Sequence, residues 1–72
     1  MDRTSGVVTL VQEDRFMLVD AAGRHGLFVL AHDADVAAGE LAALAARRVT
    51  VEWERGADLI AGIVHRIEPS SP

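Results

Sequence analysis

Five stretches of β-forming residues, interrupted once by an alanine-rich stretch after the third, constrain this chain more than any other feature. Gly6-Val-Val-Thr-Leu-Val-Gln12 and Arg15-Phe-Met-Leu-Val-Asp20 are β-branched and apolar, with only Glu13 and Asp14 between them, and predict a hairpin. Asp20-Ala-Ala-Gly23-Arg-His-Gly26 holds two glycines and no apolar period, so it predicts a turn into a third strand, Leu27-Phe-Val-Leu-Ala31. Val49-Thr-Val-Glu-Trp-Glu54 alternates strictly, with Val49, Val51 and Trp53 facing one way and Thr50, Glu52 and Glu54 the other. Arg55-Gly56-Ala57 turns the chain into a last strand over Leu59 to Ile67, where Gly62 marks a bulge or a barrel bend.

Between the third and fourth strands, Asp35 is placed to cap a helix over roughly Val36 to Arg47, with Glu40 early and Arg47 and Arg48 at its end. Leu41, Leu44 and Ala45 share its buried face, and Gly39 weakens the first turn and favours a late start. Three strands, a helix and two strands is the chain order of the oligonucleotide/oligosaccharide-binding (OB) barrel. The expected fold is therefore all-β: a five-stranded OB-type barrel (β-β-β-α-β-β) with one short helix between the third and fourth strands. The 72 residues leave room for one domain, 1–72, with an ordered core over about 5–68 and a frayed tail at 69–72. There is no cysteine, so packing or self-association must supply what disulfides or thiolate metal sites supply elsewhere. No stretch approaches the ~20 apolar residues of a membrane span. MDRTSG carries no leader pattern, and the expected location is cytoplasmic.

The formal net charge is −4, and all seven basic residues are arginine. That balance counts against any function that relies on a generally basic surface. The chain holds no glycine-rich phosphate loop, no nucleophile beside a plausible base and no informative carboxylate pair, so neither an enzyme nor a cofactor is expected. His25, His32 and His65, with His32-Asp33-Ala-Asp35, lack a ligand spacing that favours coordination, and no metal ligands are assigned.

Gly6-Val-Val, Phe16, Gly23, Leu27-Phe-Val29 and Ala61-Gly-Ile-Val64, in that order from Gly6 to Ile67, resemble the cold-shock domain family of single-stranded nucleic-acid-binding barrels. The family's second-strand Lys-Gly-Phe-Gly-Phe stands here as Asp14-Arg15-Phe16-Met17-Leu18, and its third-strand Val-Phe-Val-His-Phe as Leu27-Phe28-Val29-Leu30-Ala31. Leu10 replaces its first-strand tryptophan and Thr9 the lysine before it. The resemblance implies that Leu10, Phe16, Leu18, Phe28 and Leu30 point outward, with Phe16 and Phe28 as base-stacking platforms. Gly6-Val-Val, Phe16 and Val49-Thr-Val-Glu52 carry a smaller likeness to bacterial translation initiation factor one, also a single OB barrel.

Two functional expectations follow for one candidate site: Leu10, Arg15, Phe16, Leu18, Arg24, Phe28 and Leu30. In the first, Phe16 and Phe28, helped by Arg15 and Arg24, bind single-stranded RNA or DNA weakly. In the second, the same face, now largely aliphatic, packs against a protein partner or a second copy as a homodimer. A shift of one residue in strand phase puts some of these side chains in the core instead. Arg15 and Arg24 read more readily as solvated charges beside Asp14 and Asp20, and Trp53 as core or barrel rim.

Overall fold

A computed structural model describes residues 1–56 and 60–70. Five strands, β1 (Asp2–Gln12), β2 (Arg15–Val19), β3 (His25–Leu30), β4 (Arg48–Arg55) and β5 (Gly62–Pro69), form a closed barrel in the order β1-β2-β3-β5-β4. One short helix, α1 (Ala38–Leu41), continued by a 3-10 turn over Ala42–Leu44, lies between β3 and β4. The expected five-stranded barrel with its single helix is thus the observed one. All strand pairs are antiparallel except β3 with β5.

β1 is longer than its apolar pattern. Its first half, from Asp2 to Val7, pairs with β4, and its second half, from Val7 to Gln12, pairs with β2, so one strand serves both sides of the barrel. Ser5 and Thr50 share a hydroxyl hydrogen bond across the first ladder. Residues 2–5 thus become strand because β4 offers an edge for them. β5 likewise runs later than expected, to Pro69, and the Ser70 N–H donates to the Arg48 carbonyl at 2.9 Å. The expected strand start at Leu59, the turn residue Ala57 and the last two tail residues lie outside the described residues.

Two bulges adjust the ladders. Val8 faces Leu18 but Leu10 faces Met17, leaving Thr9 as an extra residue in β1. Glu52 faces Arg66 but Trp53 faces Val64, so His65 is the extra residue in β5. The bulge expected at Gly62 falls instead at His65, and Gly62 is a point of close packing. A Cβ there would meet Trp53 Cε3 at 2.5 Å and Phe28 Cδ1 at 3.0 Å.

The core comprises Val8, Phe16, Leu18, Phe28, Leu30, Leu41, Val49, Val51, Val64 and Ile67. Phe16 and Phe28 stack at 5.7 Å between ring centroids, and Phe28 meets the half-buried Trp53 edge-on at 5.4 Å. The indole N–H donates to Thr4 Oγ1 at 2.9 Å, which satisfies its polar end at the barrel rim.

The helix corrects the sequence expectation. It spans one turn of α-helix and one of 3-10 rather than Val36 to Arg47. Asp35 does not cap it: Asp35 Oδ1 accepts the Ile67 N–H at 3.1 Å, and its own N–H donates to the His65 carbonyl. Glu40 Oε1 instead accepts the Ala37 N–H at the start of α1. At the other end, the Ala46 N–H donates to the Val8 carbonyl at 2.7 Å and the Val8 N–H to the Arg47 carbonyl at 3.0 Å. Ladder bonds to β1 thus take residues 46 and 47 away from helical propensity. Leu41 is fully buried and Leu44 packs against the core, but Ala45 is exposed.

Gly39 sits inside α1 with nothing within 4 Å of where a Cβ would stand. Gly39→Ala is expected to raise stability by about 0.4–1 kcal/mol, read from urea unfolding midpoints, because it restricts the unfolded chain without a clash. A lower midpoint would show that this turn is not helical in solution.

Candidate binding surface

The pleat alternates side chains across the barrel wall, so the residues between the core positions of β2 and β3 must face solvent. On β2 these are Arg15, Met17 and Val19, and on β3 they are His25, Leu27 and Val29. Phe16, Leu18, Phe28 and Leu30, expected on this outer face, are core residues instead. The reason is phase: both runs are apolar at consecutive positions, so alternation alone does not fix which set is inside. Closure of the barrel stacks the two phenylalanines on each other and sets Phe28 against Trp53, so that the larger rings fill the interior.

Leu10 does face solvent, because the bulge at Thr9 leaves two successive residues outside. Cross-strand register then aligns Leu10, Met17 and Leu27 as one apolar row over three strands. Leu10 is 57% exposed and Leu27 41%, and a shallow depression of about 210 Å³ lies between them, walled in part by Met17 and Arg15. The face the sequence pointed to is therefore aliphatic, as expected, but composed of Leu10 with Met17 and Leu27. Reading bulk as a guide to phase, with the phenylalanines inside, would have found these two.

Arg15 lies exposed at one end of the face, opposite Gln12 and Val29. Arg24 lies at the other end, in the turn after β2, with its Nε 3.3 Å from Asp20 Oδ2. Asp20 organises that turn. Its Oδ1 accepts the N–H groups of Ala22 and Arg24 at 2.9 Å, and Gly23 takes a left-handed φ of 80°. The Arg24 N–H, then the Ala22 N–H and the Arg24 charge, hold the Asp20 carboxyl below its ordinary range against partial desolvation.

A larger cleft of about 320 Å³ opens at the end of the barrel beside Leu27. It lies between the start of β3, the ends of β2 and β4, and the approach to β5; Arg24, Arg55 and Ile60 stand around it, and Phe28 and Trp53 form part of its floor. Ile60 is 99% exposed. Neither Arg55 nor Ile60 carried a sequence signal, because each stands beside a turn and gains meaning only from its neighbours across the opening.

The three histidines do not converge, and among the described residues no group of three or more His, Asp or Glu side chains is arranged to hold a metal ion. His65, the β5 bulge residue, lies between two carboxylates, with Nε2 2.9 Å from Glu54 Oε2 and Nδ1 3.3 Å from Asp33 Oδ1. Both partners only accept, so the imidazolium, which donates from both nitrogens, satisfies the arrangement best. The hydrogen bond to Glu54, opposed by desolvation and aided by Asp33, raises the His65 pKa. A raised folded-state value stabilises the fold below the unfolded value of about 6.5, and that contribution is lost as pH rises through the folded value. Thermal midpoints measured from about pH 6 to 9 are therefore expected to fall with pH, and the slope to flatten in Glu54→Gln. Identical slopes in the two proteins would remove the clamp from the account.

Compared with models of protein families, with curated proteins and with solved structures, the chain matches none.

Proposed function

We propose that this chain is a non-catalytic, OB-type interaction module of the cytoplasm whose ligand is a protein surface, bound on the aliphatic outer face of β1, β2 and β3. The carrying observation is the outward row Leu10, Met17 and Leu27, in which Leu10 and Leu27 are exposed and Met17 is half-buried. Small monomers seldom leave such a row uncovered, and its aliphatic side chains, the unbranched Met17 at their centre, suit a protein surface. Base stacking needs π-faces outside the barrel. The chain's aromatic residues are Phe16, Phe28 and Trp53, two of them in the core and the third packed on Phe28 at the rim. The charge of −4 adds a repulsive background for any polyanion.

The test is photocrosslinking in the cells the chain comes from, with a benzophenone amino acid at position 17 and, as a control, at Arg3, which is exposed on β1 opposite Glu52. Expected is a protease-sensitive adduct at position 17 and none at position 3; its mass distinguishes a partner from a second copy. Nuclease-sensitive adducts, or equal yields at both positions, would overturn the reading. Leu27→Arg is expected to abolish the position-17 adduct while leaving the melting temperature within about 4 °C, since Leu27 is exposed. Leu30→Arg, by contrast, buries an unpaired charge and is expected to unfold the barrel.

A further inference from the structure

We infer that the cleft at the end of the barrel receives an extended acidic peptide, which adds as a strand to the open edge of β3. This rests on the reading of the chain as a protein-interaction module and names one partner chemistry for it.

The edge follows from the ladder. The Leu30 N–H donates to the Asp14 carbonyl at 2.8 Å and the Asp20 N–H to the Arg24 carbonyl at 3.0 Å. In the unbroken antiparallel register between them, hydrogen-bonded pairs alternate with non-bonded ones, so Phe16 with Phe28 and Leu18 with Gly26 are bonded pairs. The main-chain groups of His25 and Leu27 consequently point away from β2. On that side, among the described residues, β5 joins from Phe28 opposite Gly62 onward. The N–H and C=O of His25 and the N–H of Leu27 therefore face the cleft, which His25, Gly26 and Leu27 line. Unpaired strand groups beside a cavity are matched by the backbone of another extended chain, which neither a helix nor a nucleic acid supplies.

The side chains set the character of that strand. Of the charged residues described around the cleft, Arg24 and Arg55 are cationic and Asp20 alone is anionic. Asp20 is occupied by Arg24 and by two backbone N–H groups, which leaves Arg55 to meet an incoming carboxylate. Leu27 and Ile60 offer apolar contact for alternate residues. A strand alternating acidic and β-branched residues fits both demands.

The probe is a fluorescein-labelled octapeptide alternating valine and glutamate, titrated by anisotropy with the full chain. Saturable binding is expected, weakened at least about tenfold by Arg55→Glu. Binding is expected to vanish when alternate peptide nitrogens are methylated, which removes the donors on one edge and keeps every side chain. The amides of His25 and Leu27 should shift in proton–nitrogen NMR. Equal binding of the methylated peptide, equal binding of the valine–lysine analogue, or tighter binding of a dT12 oligonucleotide would each overturn the inference. So would an absence of binding. In the unaltered chain, a position-17 adduct alongside failed peptide binding sinks this inference alone. Loss of both sinks the interaction reading with it.

Discussion

Phe28→Ala is expected to lower the melting temperature of the chain by roughly 15–30 °C. Phe28 is 5% exposed, stacked on Phe16 and edge-on to Trp53. Truncating a buried phenylalanine costs about 3–5 kcal/mol, and the spread depends on how far the surroundings collapse into the cavity. Here they collapse poorly. Two glycines, Gly26 and Gly62, flank the ring, and a Cβ on either would come within 3.0 Å of it. The ring fills space that no neighbouring side chain reaches. A chain of this size has about 4–11 kcal/mol of total stability, so the loss takes a large share of it. Circular dichroism and Trp53 fluorescence melts measure the effect together. A shift under about 5 °C would contradict the buried position and reopen Phe28 as an outward stacking platform.

The second large effect is expected from Gly6→Ala, at about 3 kcal/mol or more of destabilisation in urea unfolding. A Cβ on Gly6 would stand 2.6 Å from the Val19 carbonyl oxygen and 3.0 Å from its carbon. Those are backbone atoms held in a ladder, so no rotamer change relieves the contact. Gly6 also sits where β1 passes from its pairing with β4 to its pairing with β2, next to Val7, which faces both Arg48 and Val19. Moving β2 away to admit a methyl group strains the junction of the two ladders. Gly39→Ala is the contrast: the same substitution in an open, helical position is expected to stabilise. A cost below about 1 kcal/mol at Gly6 would mean that the strands cross there less closely than the structure has them.

The candidate surface was half legible in the sequence. The first three strands carry more apolar residues than one barrel face buries, so an apolar exterior was readable, and Leu10 was among its expected members. Its other members were not. Phe16-Met-Leu-Val19 and Leu27-Phe-Val-Leu30 present apolar side chains to both sides, and such a run carries no phase of its own. The resemblance to cold-shock domains implied one phase and the packing of two phenylalanines with Trp53 set the other. By contrast, β4 was legible residue by residue, because Thr50, Glu52 and Glu54 mark its wet side.

The sequence alone determined the number, order and kind of the elements, since β-branched runs, turn residues and an alanine-rich stretch act over a few neighbours. Tertiary structure decided everything that depends on a distant partner. It drew Asp2 to Ser5 into strand through β4, ended the helix by bonding Ala46 and Arg47 to Val8, and turned Asp35 from an expected cap into an anchor for β5. It also turned the main-chain groups of His25 and Leu27 away from β2, toward the cleft that Arg55 lines. The physical reason is that hydrogen-bond partners, strand phase and cleft walls are properties of pairs far apart in the chain, and barrel closure is what selects among them.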